Sequence, residues 1–251
     1  MTGISVITAA SRELPVLKRL MAQFAAQTNR DFEHIIVYDG PPPEEIKEYF
    51  RGIESGAMRF IWLAQKDGRY GSEPRNHGIG LSRGDWIVFA DDDDYYAPSY
   101  LEAFRELNLE EGELGVVRMN NYGTVVPRHD MHEFPRLAHV GTPCCLFAGK
   151  ILRENEELRW TYDNNYDHDY QFVKRYVERV KPRVRLNPRV VVKAGNASLF
   201  AKNKLSGRRL EQYLSWREPN FFAEWFNPVK NDCRIYRKLN ELGRLFAGTQ
   251  R

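Results

Sequence analysis

Four consecutive aspartates, Asp91 to Asp94, directly follow the apolar run WIVFA at residues 86–90. An apolar run of this length, closed by polar residues, is typical of a buried strand. Its carboxylates would emerge at the C-terminal end of the strand, where open α/β sheets form their ligand crevices. Four crowded negative charges repel one another, and a hard divalent cation with oxygen ligands relieves that repulsion. The alternative is a solvated acidic turn before a helix, and this stretch alone leaves both interpretations open.

A second acidic cluster contains Asp167 and Asp169. The apolar spacing that follows it predicts a helix, with Phe172, Val173, Tyr176, Val177 and Val180 on one face. The two carboxylates are therefore expected at a helix N-terminus. Acidic residues are favoured there as caps and as partners of the helix dipole, so a structural role competes with a catalytic one.

Other polar residues give weaker signals. Arg75 lies in the glycine-containing stretch 71–80 and can clamp a phosphate or carboxylate through two parallel hydrogen bonds. Its alternative is a structural ion pair, and we interpret the glycines around it as turns. His129 and His132 could bind a metal, but solvent-exposed histidines explain the pair more simply. Asp94 receives no role.

Strands and helices alternate over the first hundred residues. Strands are predicted at residues 4–10, 32–38, 58–64 and 86–90, and helices at 44–51 and 98–107. Another helix should follow the first strand, with Ser11 as its cap and Pro15 in its first turn. This alternation predicts a parallel α/β sheet with right-handed crossovers. The first strand is not followed by a GxGxxG motif, which argues against a dinucleotide site.

From about residue 115 the pattern changes to shorter strands separated by polar turns. Strands are predicted at residues 114–119, 124–126, 144–147 and 189–194, as in an added half that closes over a site. Beyond residue 205 the chain is predicted to be helical, and it includes a basic amphipathic segment. Such a helix can lie on an anionic membrane surface, pack on its own domain or form a homodimer, and all three alternatives stay open.

The composition excludes several classes of protein. The 251 residues are 42% hydrophobic and 28% charged, as in an ordinary globular protein, and the net charge of +3 does not call for a nucleic-acid partner. Three cysteines, two of them adjacent at Cys144 and Cys145, form neither a disulfide framework nor a CxxC pattern. No apolar stretch approaches the length of a membrane span. We therefore expect a cytoplasmic protein, with peripheral membrane contact as one role for its C-terminal helices.

Together these features resemble the family 2 glycosyltransferases of the GT-A fold. The matching stretches lie within about the first 200 residues and are, in order, ISVITAAS, FEHIIVYDG, PRNHGIGLSRGDWIVFADDDDYYAPSYLEAF and YDHDYQFVKR. Each motif is weak alone, and their order and spacing carry the resemblance. The resemblance implies an α/β fold with a Rossmann-like mixed sheet flanked by helices. It also implies a domain over residues 1–200, divided into a nucleotide-binding half (1–114) and an acceptor half (115–200), with a helical extension over 201–251.

The resemblance assigns expected roles to individual residues. Asp91 and Asp93 correspond to the DXD motif that holds Mn²⁺ or Mg²⁺, with Asp93 as the direct ligand, and Asp169 corresponds to the general base. Asp39 is expected at the base of the nucleotide, Arg75 near the nucleotide or its diphosphate, and Asp92 beside the ribose. Ala9 and Ser11 are also expected at the nucleotide-sugar.

The implied reaction moves a single sugar, with inversion, from a nucleoside-diphosphate sugar to a hydroxyl of a carbohydrate or other acceptor. A UDP-sugar is the favoured donor. Two departures from the family pattern stand out: the Thr-x-Tyr-Asn-like sequence after the first strand is absent, and His168 occupies the position before the base where Glu is frequent. The alternatives are a sugar nucleotidyltransferase and a non-catalytic module that binds nucleotide-sugars.

Overall fold

The computed structural model describes residues 3–121, 124–128, 134–162 and 167–195. His129, His132 and the predicted C-terminal extension lie outside these ranges. Within the described part of the chain, no helix has both the length and the apolarity needed to cross a bilayer.

The strands are, in chain order, β1 (Ile4–Ala10), β2 (Phe32–Tyr38), β3 (Met58–Trp62), β4 (Trp86–Asp91), β5 (Tyr95–Tyr96), β6 (Glu113–Asn121), β7 (Thr124–Val126), β8 (Cys145–Ala148) and β9 (Arg183–Lys193). The helices are α1 (Leu14–Ala25), α2 (Glu44–Arg51), α3 (Ser72–Leu81), α4 (Tyr100–Arg105), α5 (Gly149–Glu154) and α6 (His168–Val180). Short 3₁₀ turns cover Thr142–Cys144 and Glu156–Leu158.

These strands form one mixed sheet in the order β3-β2-β1-β4-β8-β6-β9-β5, with β7 paired to β6. The first four strands of this order run parallel to one another. Strand β8 then runs antiparallel to both β4 and β6, whereas β6 and β9 are parallel. The parallel part reflects the predicted strand–helix alternation, and the sheet as a whole is mixed, as the resemblance implied.

The central strands β1 and β4 are almost continuously buried, which explains their apolar composition. On helix α1, the predicted apolar face packs inward through Leu17, Leu20 and Phe24. The adjacent Cys144 and Cys145 are also buried, and burial raises the pKa of the Cys144 thiol to about 12. The interpretation of this pair as part of the core is confirmed.

Two local predictions are wrong. Ser11 does not cap α1, which begins at Leu14 after Glu13; instead, the backbone N–H of Ser11 donates to Asp92. Of the glycines in the stretch 71–80, all interpreted as turns, Gly71 does adopt a left-handed turn conformation, but Gly78 and Gly80 lie within helix α3. Gly78 lets that helix pack closely on strand β1, because a Cβ there would lie 2.3 Å from Cγ2 of Ile7.

Element boundaries also differ from the predicted ones. Strand β3 ends at Trp62 rather than residue 64, and α4 covers only Tyr100–Arg105 of the predicted 98–107. Strand β9 begins at Arg183, earlier than the predicted residue 189. Its N-terminal part pairs with β6, and this long-range pairing adds a polar segment that apolar patterning does not reveal.

Candidate active site

The two acidic clusters predicted from the sequence line one pocket of about 380 Å³. Asp91, Asp93 and Asp94, at the end of β4 and in the turn to β5, line one side. Asp167 and Asp169, at the N-terminus of α6, contribute a second set of carboxylates. Residues about seventy positions apart in the chain are therefore brought to a common cavity.

The aspartate turn is held in place by backbone donors. Asp92 is buried and its Oδ2 accepts hydrogen bonds from the backbone N–H groups of Ser11 (2.7 Å) and Arg12 (3.1 Å). Asp94 is also buried and its Oδ1 accepts a 2.9 Å hydrogen bond from the backbone N–H of Gly195. These two carboxylates anchor the turn to the neighbouring loops, whereas Asp91 and Asp93 remain partly exposed, at 29% and 22% of their side chains.

Two arginines supply counter-charges to the exposed carboxylates. Nη2 of Arg12 lies 2.6 Å from Oδ2 of Asp93, and Nη2 of Arg75 lies 2.5 Å from Oδ1 of Asp91. A third guanidinium, that of Arg19, donates a 2.8 Å hydrogen bond to the backbone carbonyl of Asp93. Positive charge therefore balances part of the acidic turn.

The arginines do not fully compensate the negative charge of the aspartate turn. Burial, together with repulsion from Asp93 and Asp91, raises the pKa of Asp92 to about 7. Burial also raises the pKa of Asp93 and, more strongly, that of Asp94, and the neighbouring aspartates add to both shifts. The turn thus retains a tendency to attract a further cation.

The available donors fit a hard divalent cation that takes some of its ligands from substrate. Such ions, Mg²⁺ in particular, are commonly bound through one or two carboxylates together with phosphates and water. Asp91 and Asp93 provide two carboxylates facing the pocket. Over the described ranges, no group of three or more His, Cys, Asp or Glu side chains could hold a metal ion, so substrate and water would have to complete the coordination.

Asp169 is positioned on the first turn of α6. Its Oδ2 accepts a 3.1 Å hydrogen bond from the backbone N–H of Thr142, and its Oδ1 lies 3.2 Å from Nε2 of His168. Burial raises the pKa of Asp169, and repulsion from Asp91 adds to this effect, while His168 and Arg75 oppose it. A carboxylate with a raised pKa accepts a proton more readily than an ordinary aspartate does.

The side chains of the second acidic cluster do not cap helix α6, contrary to one of the two interpretations of the sequence. Asp167 occupies the N-cap position of α6, but no side-chain hydrogen bond caps the helix. Oδ2 of Asp167 instead accepts a 2.8 Å hydrogen bond from the side-chain amide of Gln171. The carboxylate of Asp169 contacts Thr142 and His168, on the pocket side.

Arg75 forms the ion pair that the sequence suggested as its alternative role, and its partner is Asp91 at the pocket. The guanidinium is buried, donates from Nη1 to the backbone carbonyl of Tyr70 at 2.7 Å, and lies 4.6 Å from the ring centroid of Trp160. It therefore connects the aspartate turn with the loop that precedes α3. Its contact with a diphosphate stays a prediction.

Asp39, at the C-terminal end of β2, holds a neighbouring loop. Its two carboxylate oxygens accept hydrogen bonds from the backbone N–H groups of Asp67 (2.6 Å) and Gly68 (3.0 Å). Ala9 pairs in register with Asp91 on the adjacent strand, and a Cβ at Gly71 would lie 2.7 Å from that of Ala9. Asp39 and Ala9 therefore lie at the same edge of the sheet as the aspartate turn, and the roles of these two residues toward a nucleotide stay predictions.

Four residues at the site were not assigned a role from the sequence. Thr142, Trp160 and Tyr70 have no local signal, because each contacts the site through residues far away in the chain. Arg12 could have been found, since a basic residue that follows the first strand can reach the same sheet edge as the aspartates.

Comparisons with known proteins identify the family and the fold. Residues 5–172 match the family model described as Glycosyl transferase family 2. An uncharacterized glycosyltransferase of Methanocaldococcus jannaschii is 29% identical over 100 residues, which cover 39% of this chain and 34% of the relative. The uncharacterized glycosyltransferase EpsJ of Bacillus subtilis is 30% identical over 121 residues, 47% of this chain and 34% of the relative. The chain thus spans about a third of the length of these curated relatives.

Solved glycosyltransferase structures share the fold. S. aureus TarS 1-349 in complex with UDP superposes with a TM-score of 0.62 at 18% identity, covering 88% of this chain and 74% of that chain. Mannosyltransferase PcManGT from Pyrobaculum calidifontis in complex with GDP-Man and Mn²⁺ has a TM-score of 0.60 at 16% identity, covering 99% and 76%. The predicted α/β fold of the GT-A type is confirmed.

Proposed function

Because the chain belongs to glycosyltransferase family 2, we propose that it transfers a single sugar from a nucleoside-diphosphate sugar to an acceptor hydroxyl. One observation carries this proposal: a single pocket is lined by Asp91 and Asp93 and also by Asp169. The first two carboxylates suit the donor and its cation, and the third suits a base that meets the acceptor. Family membership also favours sugar transfer over nucleotidyl transfer.

On the donor side, Asp91 and Asp93 would hold Mn²⁺ or Mg²⁺, which when bound neutralises charge on the departing nucleoside diphosphate. Burial, together with repulsion from Asp91, raises the pKa of Asp93, and this supports the role because a bound cation would stabilise the ionised carboxylate. TarS in complex with UDP-GlcNAc and PcManGT in complex with GDP-Man and Mn²⁺ support a nucleotide-sugar donor. We favour a UDP-sugar as the donor, and a GDP-sugar is the alternative to compare with it.

Other residues at this edge of the sheet would orient the nucleotide. Asp39 would contact the nucleobase, Asp92 the ribose, and Ala9 and Ser11 the adjacent part of the nucleotide-sugar. The hydrogen bond from Ser11 to Asp92 supports this assignment, because it ties the loop after β1 to the aspartate turn. Arg75 would act near the diphosphate, adjacent to Asp91.

On the acceptor side, Asp169 would remove the proton from an acceptor hydroxyl as its oxygen attacks the anomeric carbon. The C–O bond to the nucleoside diphosphate breaks as the new glycosidic bond forms, so one displacement inverts the anomeric centre. The raised pKa of Asp169 suits proton removal, and the Thr142 N–H fixes the carboxylate. This arrangement needs no covalent intermediate on the protein.

The proposal is tested by separating binding from turnover. Asp169→Asn should retain the thermal stabilisation produced by UDP with Mn²⁺ but lose transfer activity by about 10²–10⁴-fold, as for the loss of a general base. Asp93→Asn should lose the Mn²⁺-dependent part of nucleotide binding. Activity is measured as nucleoside diphosphate release from UDP- and GDP-sugars with a panel of acceptors.

The control for both variants is Asp85→Asn, which alters an exposed carboxylate just before β4, at the opposite end of that strand from the pocket. It should leave both measurements unchanged. Full transfer activity in a folded Asp169→Asn protein would disprove the base assignment. Absence of divalent-dependent binding of either nucleoside diphosphate by the wild-type protein would disprove the proposed function itself.

A further inference from the structure

The short segment that carries Trp160 is held by two helices at once. The side-chain amide of Asn76, on helix α3, forms two hydrogen bonds with the backbone of Trp160: Nδ2 donates to the carbonyl at 2.9 Å, and Oδ1 accepts from the N–H at 2.7 Å. From helix α6, Nη2 of Arg175 donates a 2.8 Å hydrogen bond to the carbonyl of Arg159. Residues 159 and 160 therefore bridge α3 and α6.

The ring of Trp160 extends this bridge to the neighbours of the proposed reacting groups. The ring is buried, and the guanidinium of Arg75, the partner of Asp91, lies 4.6 Å from its centroid. The same ring stacks on Phe172 at 4.2 Å with an interplanar angle of 4°. Phe172 follows Asp169 by three positions on α6, so the two residues share a face of that helix. One ring thus contacts the partner of the donor carboxylate and the helix of the base.

Helix α3 alone does not account for an asparagine at position 76. The residue lies inside the helix Ser72–Leu81, where asparagine is a poor helix former and caps neither end. Its amide instead pairs with the N–H and the C=O of a residue 84 positions away. Both backbone groups would lose these partners without it, and the pairing requires a side chain with one donor group and one acceptor group.

We propose that Asn76 is a positioning residue for the proposed reaction, because by fixing the backbone of Trp160 it sets the separation between Asp91 and Asp169. This inference rests on the proposed function, in which Asp91 serves the donor and Asp169 the acceptor. The acceptor hydroxyl must meet the base and the anomeric carbon together, and a misplacement of about 1 Å can lower the rate about 100-fold. Asn76 acts through Trp160, without a contact of its own to either substrate.

The first test separates turnover from donor binding in Asn76→Ala. We expect kcat to fall about 10- to 100-fold, as for a misplaced base. The KM for the donor should stay close to the wild-type value, and UDP with Mn²⁺ should still stabilise the variant against heat, because Arg75 keeps its contacts with Asp91 and with the carbonyl of Tyr70. Activity is measured as nucleoside diphosphate release from UDP- and GDP-sugars with the panel of acceptors.

The matched control is Asn187→Ala. Asn187 is buried on β9, where its Nδ2 donates to the carbonyl of Ala103 at 2.8 Å and its Oδ1 accepts from the N–H of Arg189 at 3.1 Å. It does not line the pocket. Its loss should lower stability, as the loss of Asn76 does, and leave kcat at the wild-type value where both variants are folded. An equal fall of kcat in the two variants would overturn the positioning role.

The variant Asn76→Asp tests the two hydrogen bonds themselves. An ionised carboxylate can accept from the N–H of Trp160 but has no hydrogen for the carbonyl, whereas a protonated carboxyl group supplies both. The nearby carbonyl favours the protonated form and should raise the pKa of the introduced carboxyl. The kcat of this variant, relative to the wild-type protein at the same pH, should therefore increase from about pH 8 to about pH 5.5. A ratio independent of pH would overturn the role of these hydrogen bonds.

Hydrogen exchange followed by mass spectrometry tests the link between the helices without any substrate. Helix α6 should exchange faster in Asn76→Ala than in the wild-type protein, and Asn187→Ala should not change it. Unchanged exchange of α6 in Asn76→Ala would overturn the inference, and intact binding of UDP with Mn²⁺ would leave the proposed function standing. Absence of nucleoside diphosphate binding by the wild-type protein would reject the proposed function, and with it any role of Asn76 in the reaction.

Discussion

At the scale of single residues, both carboxylates of the proposed cation site, Asp91 and Asp93, already have a guanidinium partner, but the two partners differ in exposure. Arg75 is buried between Asp91 and Trp160, whereas the side chain of Arg12 is 44% exposed. Exposed ion pairs contribute only about 0–1 kcal/mol, so the contact between Arg12 and Asp93 is the easier one to exchange. A cation that binds Asp93 would compete with Arg12.

We therefore expect Arg12→Ala to bind Mn²⁺ more tightly than the wild-type protein in the absence of nucleotide. Removal of the competing charge should increase affinity by about 3- to 5-fold, corresponding to less than about 1 kcal/mol. Isothermal titration calorimetry with Mn²⁺ alone measures this change. Arg51→Ala, which removes an exposed arginine from α2, is the control and should have no effect. Weaker Mn²⁺ binding by Arg12→Ala would show that the guanidinium supports the cation instead of competing with it.

His168 should influence the strength of Asp169 as a base. Because Nε2 of His168 lies 3.2 Å from the carboxylate, a negative group at this position would disfavour ionised Asp169 and raise its pKa. In His168→Glu we expect the acid limb of the pH profile of kcat/KM to move to higher pH by about one unit. His168→Gln is the uncharged comparison and should move it less. A profile that is the same in both variants and the wild-type protein would contradict electrostatic coupling between these two residues.

At the scale of elements, patterns of apolar residues predicted those strands whose burial is evident from their own sequence. The β-branched runs of β1 and β2 predicted both strands with their observed ends, Ile4–Ala10 and Phe32–Tyr38. Helix α3 was missed because its glycines resemble turn signals. In the structure, the absence of a side chain at Gly78 leaves room for Ile7 of β1. Local sequence does not contain that contact, since the helix and the strand meet only in the folded chain.

The same limit applies to the candidate site. Asp91 and Asp169 could be identified because each lies at the end of an element that has its own sequence pattern. The backbone N–H of Thr142, which fixes Asp169, and the ring of Trp160, which packs on Arg75, lie in segments without such patterns. Contacts between distant residues depend on the fold, so these supporting groups emerge only from the structure.

Two glycines on α3 provide a matched test of this packing. Gly78→Ala would place a Cβ 2.3 Å from Cγ2 of Ile7 and should lower the free energy of unfolding by about 1–3 kcal/mol, as overpacked cores do. At Gly80, a Cβ would meet no atom within 4 Å, so Gly80→Ala should raise it by about 0.5–1 kcal/mol through helix propensity. Urea-induced unfolding measures both changes. Effects of the same sign at the two positions would contradict the packing explanation.

At the scale of the whole molecule, residues from both predicted halves join one sheet and one hydrophobic core. Strand β4 from the first half pairs with β8 from the second, and Phe89 packs near Phe147 and Phe172. The pocket takes Asp91 from the first half and Asp169 from the second. The division at residue 114 therefore stays a prediction about function, and we expect the described region to unfold as a unit.

Two buried groups should make the stability of this unit depend on pH in opposite directions. The pKa of Asp92 is raised to about 7 in the folded state, so the folded protein holds an extra proton between about pH 4 and 7 and loses stability as the pH rises. Burial lowers the pKa of His34 from 6.5 to about 3, so the unfolded chain binds the extra proton and stability is lost as the pH falls. A single pH curve of the wild-type protein combines both contributions.

The substitution His34→Gln separates the contribution of His34 from that of Asp92. His34 is buried beneath α1, where its Nε2 lies 2.9 Å from the hydroxyl of Thr8 and its ring lies 4.3 Å from that of Phe24. The wild-type protein should lose about 1.4 kcal/mol more unfolding free energy than the variant between pH 7.5 and pH 5.5, because only the wild-type unfolded chain gains a proton at this position. Urea unfolding at several pH values measures the difference, whatever stability the variant has at neutral pH.

A constant difference in unfolding free energy between His34→Gln and the wild-type protein from pH 7.5 to 5.5 would show that folded His34 accepts a proton over that range. Such a result would require room for an imidazolium between α1 and the sheet, in conflict with the contacts to Thr8 and Phe24.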